Sequence, residues 1–145
     1  MNGQADWWIT KDGDRSLLAL YERHYSAHQY KDGRVRHLFA GPGEKIVLRT
    51  ATGDAGFVWR NFISDAGERG INCAFFRNES PILSSELIRQ ADAIADACWS
   101  CRRHYTYVDP TSVRSANPGY CFKLAGWTTC GETAGGKLIL ERIAQ

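Results

Sequence analysis

Short apolar runs separated by turn residues predict the strands of this chain. Residues 6–10, 45–50 and 55–63 are rich in aromatic and β-branched side chains, a composition typical of strands. The turn at residues 52–54 joins the last two runs, so we expect an antiparallel hairpin there. Residues 71–76 are apolar at nearly every position, which indicates a central strand covered on both faces.

Two other stretches show apolar residues at the helical period. The first, residues 17–26, follows Ser16, which we expect to be the N-cap. The second begins near Ser84, the expected N-cap of the longest helix, with Glu86 in its first turn. Its apolar face is formed by residues at steps of four and three: Leu87, Ala91, Ile94, Cys98 and Cys101.

A strand at residues 105–110 follows that helix and stops at Pro110. Strand, helix and strand in this order predict a right-handed βαβ crossover with two parallel strands. The carboxyl ends of parallel strands share one edge of the sheet, where open α/β sheets bind ligands. The polar residues predicted at this edge are Arg77, Asn78, Glu79 and Asp109. A short helix at 120–124 and strands at 127–130 and 137–141 complete the pattern of one α/β domain.

The bulk composition changes this picture little. The 145 residues carry 18 Lys and Arg against 16 Asp and Glu, a net charge of +2. Residues 15–49 contain seven basic residues against three acidic ones. Phosphates attract such an excess, but a solvated face is the simpler interpretation. No run approaches the roughly 20 apolar residues that a membrane span requires, so we expect no membrane partner, and the oligomeric state stays open.

The cysteine and histidine pattern predicts reduced thiols and no metal site. Five cysteines form an odd number in a chain without an apolar N-terminal signal, which favours a cytoplasmic protein. Cys98 and Cys101 have no second cysteine pair or close histidine pair to complete a tetrahedral site, so we expect buried, inert thiols. His24 and His28 are spaced for one helix face, but the helix is predicted to end between them, which favours a histidine that hydrogen-bonds backbone.

Four segments, taken in order and with their spacing, resemble the GNAT acyltransferases and most closely the phage Mom-like DNA-modification proteins. They are His24-Tyr25-Ser26, Arg77-Asn78-Glu79-Ser80, Tyr107-Val108-Asp109 and residues 119–127. The resemblance implies a single GNAT-like domain over residues 1–145, with a mixed central sheet, a βαβ crossover and flanking helices. It also implies a transferase that moves an acyl-type or related small group to a nucleobase amine in DNA, adenine being favoured.

Two departures from the wider GNAT pattern concern the donor. Acetyl-CoA-dependent members place a glycine-rich loop after the central strand, whereas residues 77–85 contain no glycine and include Pro81 and Glu79. A proline donates no amide and a carboxylate repels phosphate, which argues against CoA as the donor. Acetyl-CoA or another acyl donor remains the candidate cofactor, with Ser84 and Ser85 as the residues that would bind it.

The second departure is Phe122, which stands where many GNAT proteins have a tyrosine that reprotonates the leaving thiolate. Phenylalanine cannot donate a proton. We therefore expect Tyr120 or Tyr107 to take this role. Asp109 is the predicted base or amine-orienting acid, because it ends a strand at the ligand edge. The alternative is an aspartate that only forms the turn before Pro110.

The remaining polar residues of the edge are assigned by their hydrogen-bonding groups. Arg77, Asn78 and Ser80 can donate to a carbonyl or a phosphate. Glu79 can pair with Arg77 or accept from a base edge. The alternative for the whole group is a structural one, in which it caps the helix that starts at Ser84.

If the substrate is DNA, further residues are expected to bind the acceptor. His24, Tyr25 and Ser26 are predicted to bind it, the alternative being a packed Tyr25. A flipped base needs aromatic walls and its strand needs basic residues at the phosphates. The predicted walls are Trp59, Tyr107 and Tyr120, and the predicted phosphate ligands are Arg34, Arg36 and Arg114, although most exposed arginines bind nothing.

Two other functions remain open. One is an ordinary CoA-dependent N-acetyltransferase that acts on a small molecule, a protein terminus or aminoacyl-tRNA. The other is a nucleic-acid-binding module without catalysis. The partners expected under the main hypothesis are DNA, through a flipped base, and a small-molecule group donor.

Overall fold

A computed structural model of the chain describes residues 5–23, 38–41, 43–61, 63, 67–112 and 117–144. Its centre is a mixed sheet of seven strands in the order β1-β2-β3-β4-β5-β7-β6. The strands are β1 (Trp7–Thr10), β2 (Glu44–Thr50), β3 (Ala55–Asn61), β4 (Ile71–Asn78), β5 (Arg103–Val108), β6 (Thr128–Glu132) and β7 (Leu138–Ile143). The helices are α1 (Arg15–Glu22), α2 (Ser84–Cys98) and α3 (Tyr120–Leu124).

The strand pairing confirms the predicted hairpin and crossover. Strands β1 to β4 are antiparallel neighbours, and so are β5, β7 and β6. Among the strands in the described ranges, only β4 and β5 pair in parallel, with α2 as the crossover between them, as the strand–helix–strand order predicts. The carboxyl ends of β4 and β5 therefore lie at the same edge of the sheet.

Both faces of the sheet are covered, which explains why β4 is apolar at nearly every position. One face packs against α1 through the buried side chains of Leu17, Leu20, Val58 and Phe75. The other packs against α2 and α3 through a larger core that includes Trp59, Ile71, Leu87, Phe122 and Trp127. Within the described ranges, no helix has the length and apolar character needed to cross a bilayer.

The predicted caps of the two long helices are wrong. Asp14, not Ser16, caps α1, because its Oδ1 accepts from the amides of Ser16 and Leu17 at 3.0 and 3.2 Å. At α2 the N-cap position is Leu83, without a side-chain hydrogen bond. Helix α2 also ends at Cys98, so Cys101 belongs to the loop before β5.

Candidate active site

Strands β4 and β5 are paired only at their amino-terminal ends. The parallel ladder consists of Ile71 with His104 and Asn72 with Tyr105, and Thr106 Oγ1 then donates to the Cys73 carbonyl at 2.9 Å. Both strands continue beyond these positions without further pairing to each other. The ladder between the two strands therefore ends after two residue pairs, and we call the space between them beyond those pairs the β4–β5 cleft.

A β-bulge in β4 controls which side chains border the cleft. Val58 of β3 pairs with Phe75, but its neighbour Trp59 pairs with Cys73, so Ala74 is an additional residue in β4. A bulge shifts the alternation of side chains along a strand. Cys73 accordingly packs in the core under α2, whereas Phe75 packs in the core under α1.

The last two residues of β4 alternate between the faces as in any strand, and the bulge sets which of them faces which helix. Arg77 reaches the end of α1, where its Nη1 donates to the carbonyl of Arg23 at 3.2 Å. Asn78 reaches the start of α2, where its Nδ2 donates to Ser84 Oγ at 3.0 Å. Both residues belong to the strand itself, so the polar turn of the sequence begins only at Glu79.

Asn78 organises the turn between β4 and α2. Its Oδ1 accepts from the amide and the hydroxyl of Ser80 at 2.8 and 2.5 Å, and its Nδ2 also donates to the carbonyl of Ile82 at 2.7 Å. The Ile82 amide in turn donates to Ser80 Oγ at 3.2 Å. Asn78 and Ser80 thus hold the turn together, but neither caps α2, whose N-terminus has no side-chain cap.

These hydrogen bonds decide what the turn can offer a phosphate. The amides of Ser80 and Ile82 are used within the turn, the Glu79 amide donates to the Asp54 carbonyl at 2.7 Å, and Pro81 has no N–H. The first amides of α2, those of Ser84 and Ser85, receive no side-chain cap. Within residues 79–85, the amides left for an anion are therefore those at the start of α2.

Glu79 is fixed between two arginines. Its Oε2 accepts from Arg77 Nε at 2.6 Å and from Arg23 Nε at 3.1 Å, and its Oε1 accepts from Arg23 Nη2 at 2.8 Å. Hydrogen bonds from Arg23 and then Arg77 lower the pKa of the Glu79 carboxyl to about 2. The predicted pairing of Glu79 with Arg77 is present. Arg23 was missed, because no local pattern in the sequence links positions 23 and 79.

Asp109 lies directly after β5 and forms a turn. Its Oδ1 accepts from the amide and hydroxyl of Thr111 at 3.0 and 2.7 Å, and its Oδ2 accepts from Ser112 Oγ at 2.9 Å. These bonds, those from Thr111 being the largest contribution, lower the pKa of the Asp109 carboxyl. A carboxylate that resists protonation is a weak general base but a good partner for an ammonium group.

The two tyrosines predicted as proton donors both lie near the end of β5. Tyr107 belongs to the part of β5 that has no pairing with β4, and its ring packs edge-on against Tyr105 at 5.7 Å. Tyr120 is the first residue of α3 and is 53% exposed. The preceding Gly119 has φ +77, and a Cβ there would lie 2.7 Å from Leu140 Cδ2 and 3.6 Å from Val108 Cγ2. Only glycine fits this approach of α3 to β5.

Phe122 and Trp59 are core residues. Phe122 packs edge-on against Trp127 and Phe76. Trp59 is fully buried, stacked parallel to Trp127, with its Nε1 bonded to the Ala91 carbonyl at 2.9 Å. The prediction that Trp59 stacks on a base is therefore wrong, because its position in β3 points the indole under α2.

Several other predicted residues lie outside the described part of the chain. They are His24, Tyr25, Ser26, Arg34, Arg36 and Arg114. Their roles stay predictions.

The thiols are only partly as expected. Cys73 is buried, and desolvation raises the pKa of its thiol well above the usual range, which makes it inert. Cys98 and Cys130 are exposed, because one ends α2 and the other lies on the edge strand β6, so the expectation of buried thiols is wrong for these two. Among the described residues, no group of three or more His, Cys, Asp or Glu is arranged to bind a metal ion.

A further opening lies at the same edge of the sheet as the cleft. It has a volume of about 690 Å³ and is lined by the start of β1, the β2–β3 turn and residues 80–82. Its polar lining includes Asp6, Asp54 and Ser80. Sequence patterns did not indicate it, since its walls come from three separate segments.

The comparisons with known proteins identify the fold. No protein-family model matches the chain, and no curated protein sequence matches it. Two solved structures match over most of the chain: the aminoglycoside acetyltransferase AAC(6')-Ib in complex with coenzyme A, and the same enzyme with coenzyme A and kanamycin.

The sequence identities are 13% and 14%, and both TM-scores are 0.64. Each match covers 94% of this chain. It covers 93% of the chain in the structure with coenzyme A and 94% of the chain in the structure with coenzyme A and kanamycin. The predicted GNAT-like α/β fold with a mixed sheet is thereby confirmed. The finer resemblance to the Mom-like proteins stays a prediction.

Proposed function

We propose that this protein is an N-acyltransferase that moves an acyl or related small group from an activated donor to an amine. The observation that carries the proposal is the β4–β5 cleft. It opens at the carboxyl ends of β4 and β5, the parallel pair among the described strands, in a fold shared with acetyltransferases that were solved with coenzyme A. An extended acyl arm would lie between the two strands beyond their paired residues.

The donor would be an acyl thioester, with CoA as one candidate. Its arm would lie along the cleft. The amides and hydroxyls of Ser84 and Ser85, at the start of α2, would bind its phosphates. In the reaction the amine nitrogen bonds to the acyl carbon, the carbon–sulfur bond breaks, and the amine loses a proton while the thiolate gains one.

Residue roles follow from the observed contacts. Asp109, with its lowered pKa, orients the amine as an anion rather than removing its proton. Tyr120 or Tyr107 supplies a proton to the leaving group. Asn78 and Glu79, whose polar atoms are engaged by the turn and by the arginines, position this edge of the sheet.

The proposal has two candidate acceptors. A nucleobase amine in DNA, with adenine favoured, follows from the Mom-like motifs and would need a flipped base. With Trp59 in the core, Tyr107 and Tyr120 are the aromatic residues left for stacking. A small amine is the second candidate, because the described edge carries the carboxylates of Asp54 and Asp109, which attract cations.

Two assays test the proposal and separate the acceptors. The first is mass spectrometry of nucleosides from the DNA of cells that express the protein. The second is release of free thiol from acetyl-CoA and other acyl thioesters in the presence of amines, including aminoglycosides. A new adducted base identifies the DNA enzyme, and thiol release that depends on an amine identifies the small-molecule enzyme.

Asp109→Ala should lower either activity by about 10²-fold, a typical cost of a substrate that is no longer correctly positioned. Ser112→Ala is the matched control, because it removes one hydrogen bond from Asp109 but leaves the carboxylate. Failure of both assays, with DNA still bound, would favour a nucleic-acid-binding module and reject the transferase.

A further inference from the structure

We propose that Arg23 and Arg77 form a binding site for a phosphate group, and that the Glu79 carboxylate occupies it as an internal substitute. The site lies where the end of α1 meets the end of β4, beside the β4–β5 cleft. Neither the fold nor the resemblance assigns a ligand to Arg23.

The first argument is the shape of the contacts. Arg23 donates from Nε and Nη2 to the two oxygens of Glu79, at 3.1 and 2.8 Å, and Arg77 adds Nε at 2.6 Å. Two parallel N–H groups of a guanidinium match two oxygens of a carboxylate or of a phosphate equally well. A phosphate can therefore take the same three donors.

The side chain of Glu79 can leave the two arginines while the backbone of Glu79 and the side chain of Arg77 stay in place. The backbone of Glu79 is fixed separately, since its amide donates to the Asp54 carbonyl at 2.7 Å. Arg77 is also fixed separately, through its Nη1 and the Arg23 carbonyl. The side chains of Arg23 and Glu79 are 51% and 34% exposed, and ion pairs at such exposure are weak enough for a ligand to displace.

Two guanidinium groups contact the single carboxylate of Glu79, so the contact itself has an excess of positive charge that a doubly charged phosphate would neutralise. Asp54 interacts with Glu79 electrostatically but has no ion pair with either arginine among the described contacts. The cluster around Arg103 shows the opposite balance. Arg103 donates to both Glu141 and Glu68, at 2.7 and 2.8 Å, and removal of one of these carboxylates still leaves the arginine paired.

The ligand chemistry is a phosphate group beside the cleft. It has two sources, the phosphates of a small-molecule donor and those of a nucleic acid backbone. The two can be told apart by binding measurements alone. The inference therefore does not depend on whether group transfer takes place.

The experiment is a calorimetric titration at low ionic strength with inorganic pyrophosphate. We expect Glu79→Gln to tighten binding by about fivefold or more relative to the wild type, since a unit charge at contact distance is worth about that factor even in water. The matched control Glu141→Gln also removes one carboxylate from an arginine and should leave pyrophosphate binding unchanged. The double variant Arg77→Ala with Glu79→Gln should lose the gain.

The wild type and Glu79→Gln are also titrated with coenzyme A and with a short single-stranded oligodeoxynucleotide. The ligand that binds Glu79→Gln more tightly than the wild type, as pyrophosphate does, identifies the source of the phosphate. Thermal melts show that each variant is folded before it is titrated. Equal pyrophosphate affinity of the folded Glu79→Gln and Glu141→Gln variants would overturn the inference. So would a gain that persists in the double variant.

Discussion

The Nδ1 atom of His104 lies 2.7 Å from Oδ1 of Asp92, and both side chains are buried between α2 and the sheet. The second oxygen of Asp92 accepts from Trp127 Nε1 at 2.9 Å. On the other side, His104 Nε2 lies 3.3 Å from Asp96 Oδ1, without the geometry of a hydrogen bond, and Arg142 donates to both oxygens of Asp96 at 2.8 Å. This network joins α2 to β5, β7 and Trp127, at the opposite end of β5 from the candidate site.

Removal of the Asp92 carboxylate should destabilise the protein strongly. Asp92→Ala leaves His104 and the Trp127 N–H buried without their partner, and loss of one member of a buried pair typically costs about 3–5 kcal/mol. Chemical unfolding followed by tryptophan fluorescence measures the change. Asp96→Asn is the control, because its pair with Arg142 is partly exposed and should cost much less. A similar loss in both variants would contradict the central role of Asp92.

The two buried indoles provide a finer comparison. Trp127→Phe removes a donor to a carboxylate and should cost about 1–3 kcal/mol for the unsatisfied oxygen. Trp59→Phe removes a donor to a neutral carbonyl and should cost less by the same unfolding measurement. If Trp59→Phe were the more damaging change, the electrostatic account of the Asp92 network would be wrong.

Gly56 is required by the contact between β3 and α1. A Cβ at this position would lie 2.5 Å from Leu17 Cδ2 and 3.3 Å from Phe75 Cε2. Gly56→Ala should therefore lower stability by about 1–3 kcal/mol through overpacking. Gly131→Ala, where the nearest atom would be 3.7 Å away, should have little effect on the thermal midpoint. Equal midpoints for the two variants would show that α1 moves freely away from the sheet.

The Glu79 cluster should make stability depend on pH in acid. The pKa of Glu79 is about 2 in the folded protein, against the ordinary glutamate value of 4.5 that applies to the unfolded chain. This carboxylate therefore stabilises the fold above pH 4.5. That stabilisation is lost as the pH falls from 4.5 towards 2. Unfolding curves across this interval should show a steeper decline for the wild type than for Glu79→Gln. Parallel declines would mean that the arginines do not hold the carboxylate in solution.

The proposed proton donor can be identified by two single substitutions. Tyr120→Phe and Tyr107→Phe each remove only a hydroxyl. The variant that lacks the general acid should lose about 10²–10⁴-fold in kcat with a nearly unchanged KM for the donor. The other variant should show a smaller loss and serves as the control. Full activity in both would leave protonation of the leaving group to solvent.

Much of the fold follows from local patterns. The helical period after Ser84, the turn at residues 52–54 and the stop at Pro110 predicted α2, the β2–β3 hairpin and the crossover to β5. Helix α3 was predicted within its observed bounds, Tyr120–Leu124. These elements depend on neighbouring residues, so the sequence alone contains their signal.

The candidate site was only partly predictable. The position of Arg77 and Asn78 at the ligand edge follows from the order of strands, but which of them faces α1 and which faces α2 depends on the bulge at Ala74, and no residue type at that position predicts the bulge. Trp59 has an aromatic side chain that could stack on a base, and only its register against Cys73 places it in the core. The partner of Glu79 that directly follows α1 is 56 residues away in the chain, beyond the reach of any periodicity.

The sequence by itself determined the order and type of the elements, the parallel pair and the polar edge at its end, because periodicity, turn residues and proline act over a few neighbouring positions. Only the tertiary structure decided that the pairing of β4 and β5 ends after two residue pairs and that two arginines converge on Glu79. Those features arise from contacts between distant segments, whose geometry is set by packing against the shared sheet.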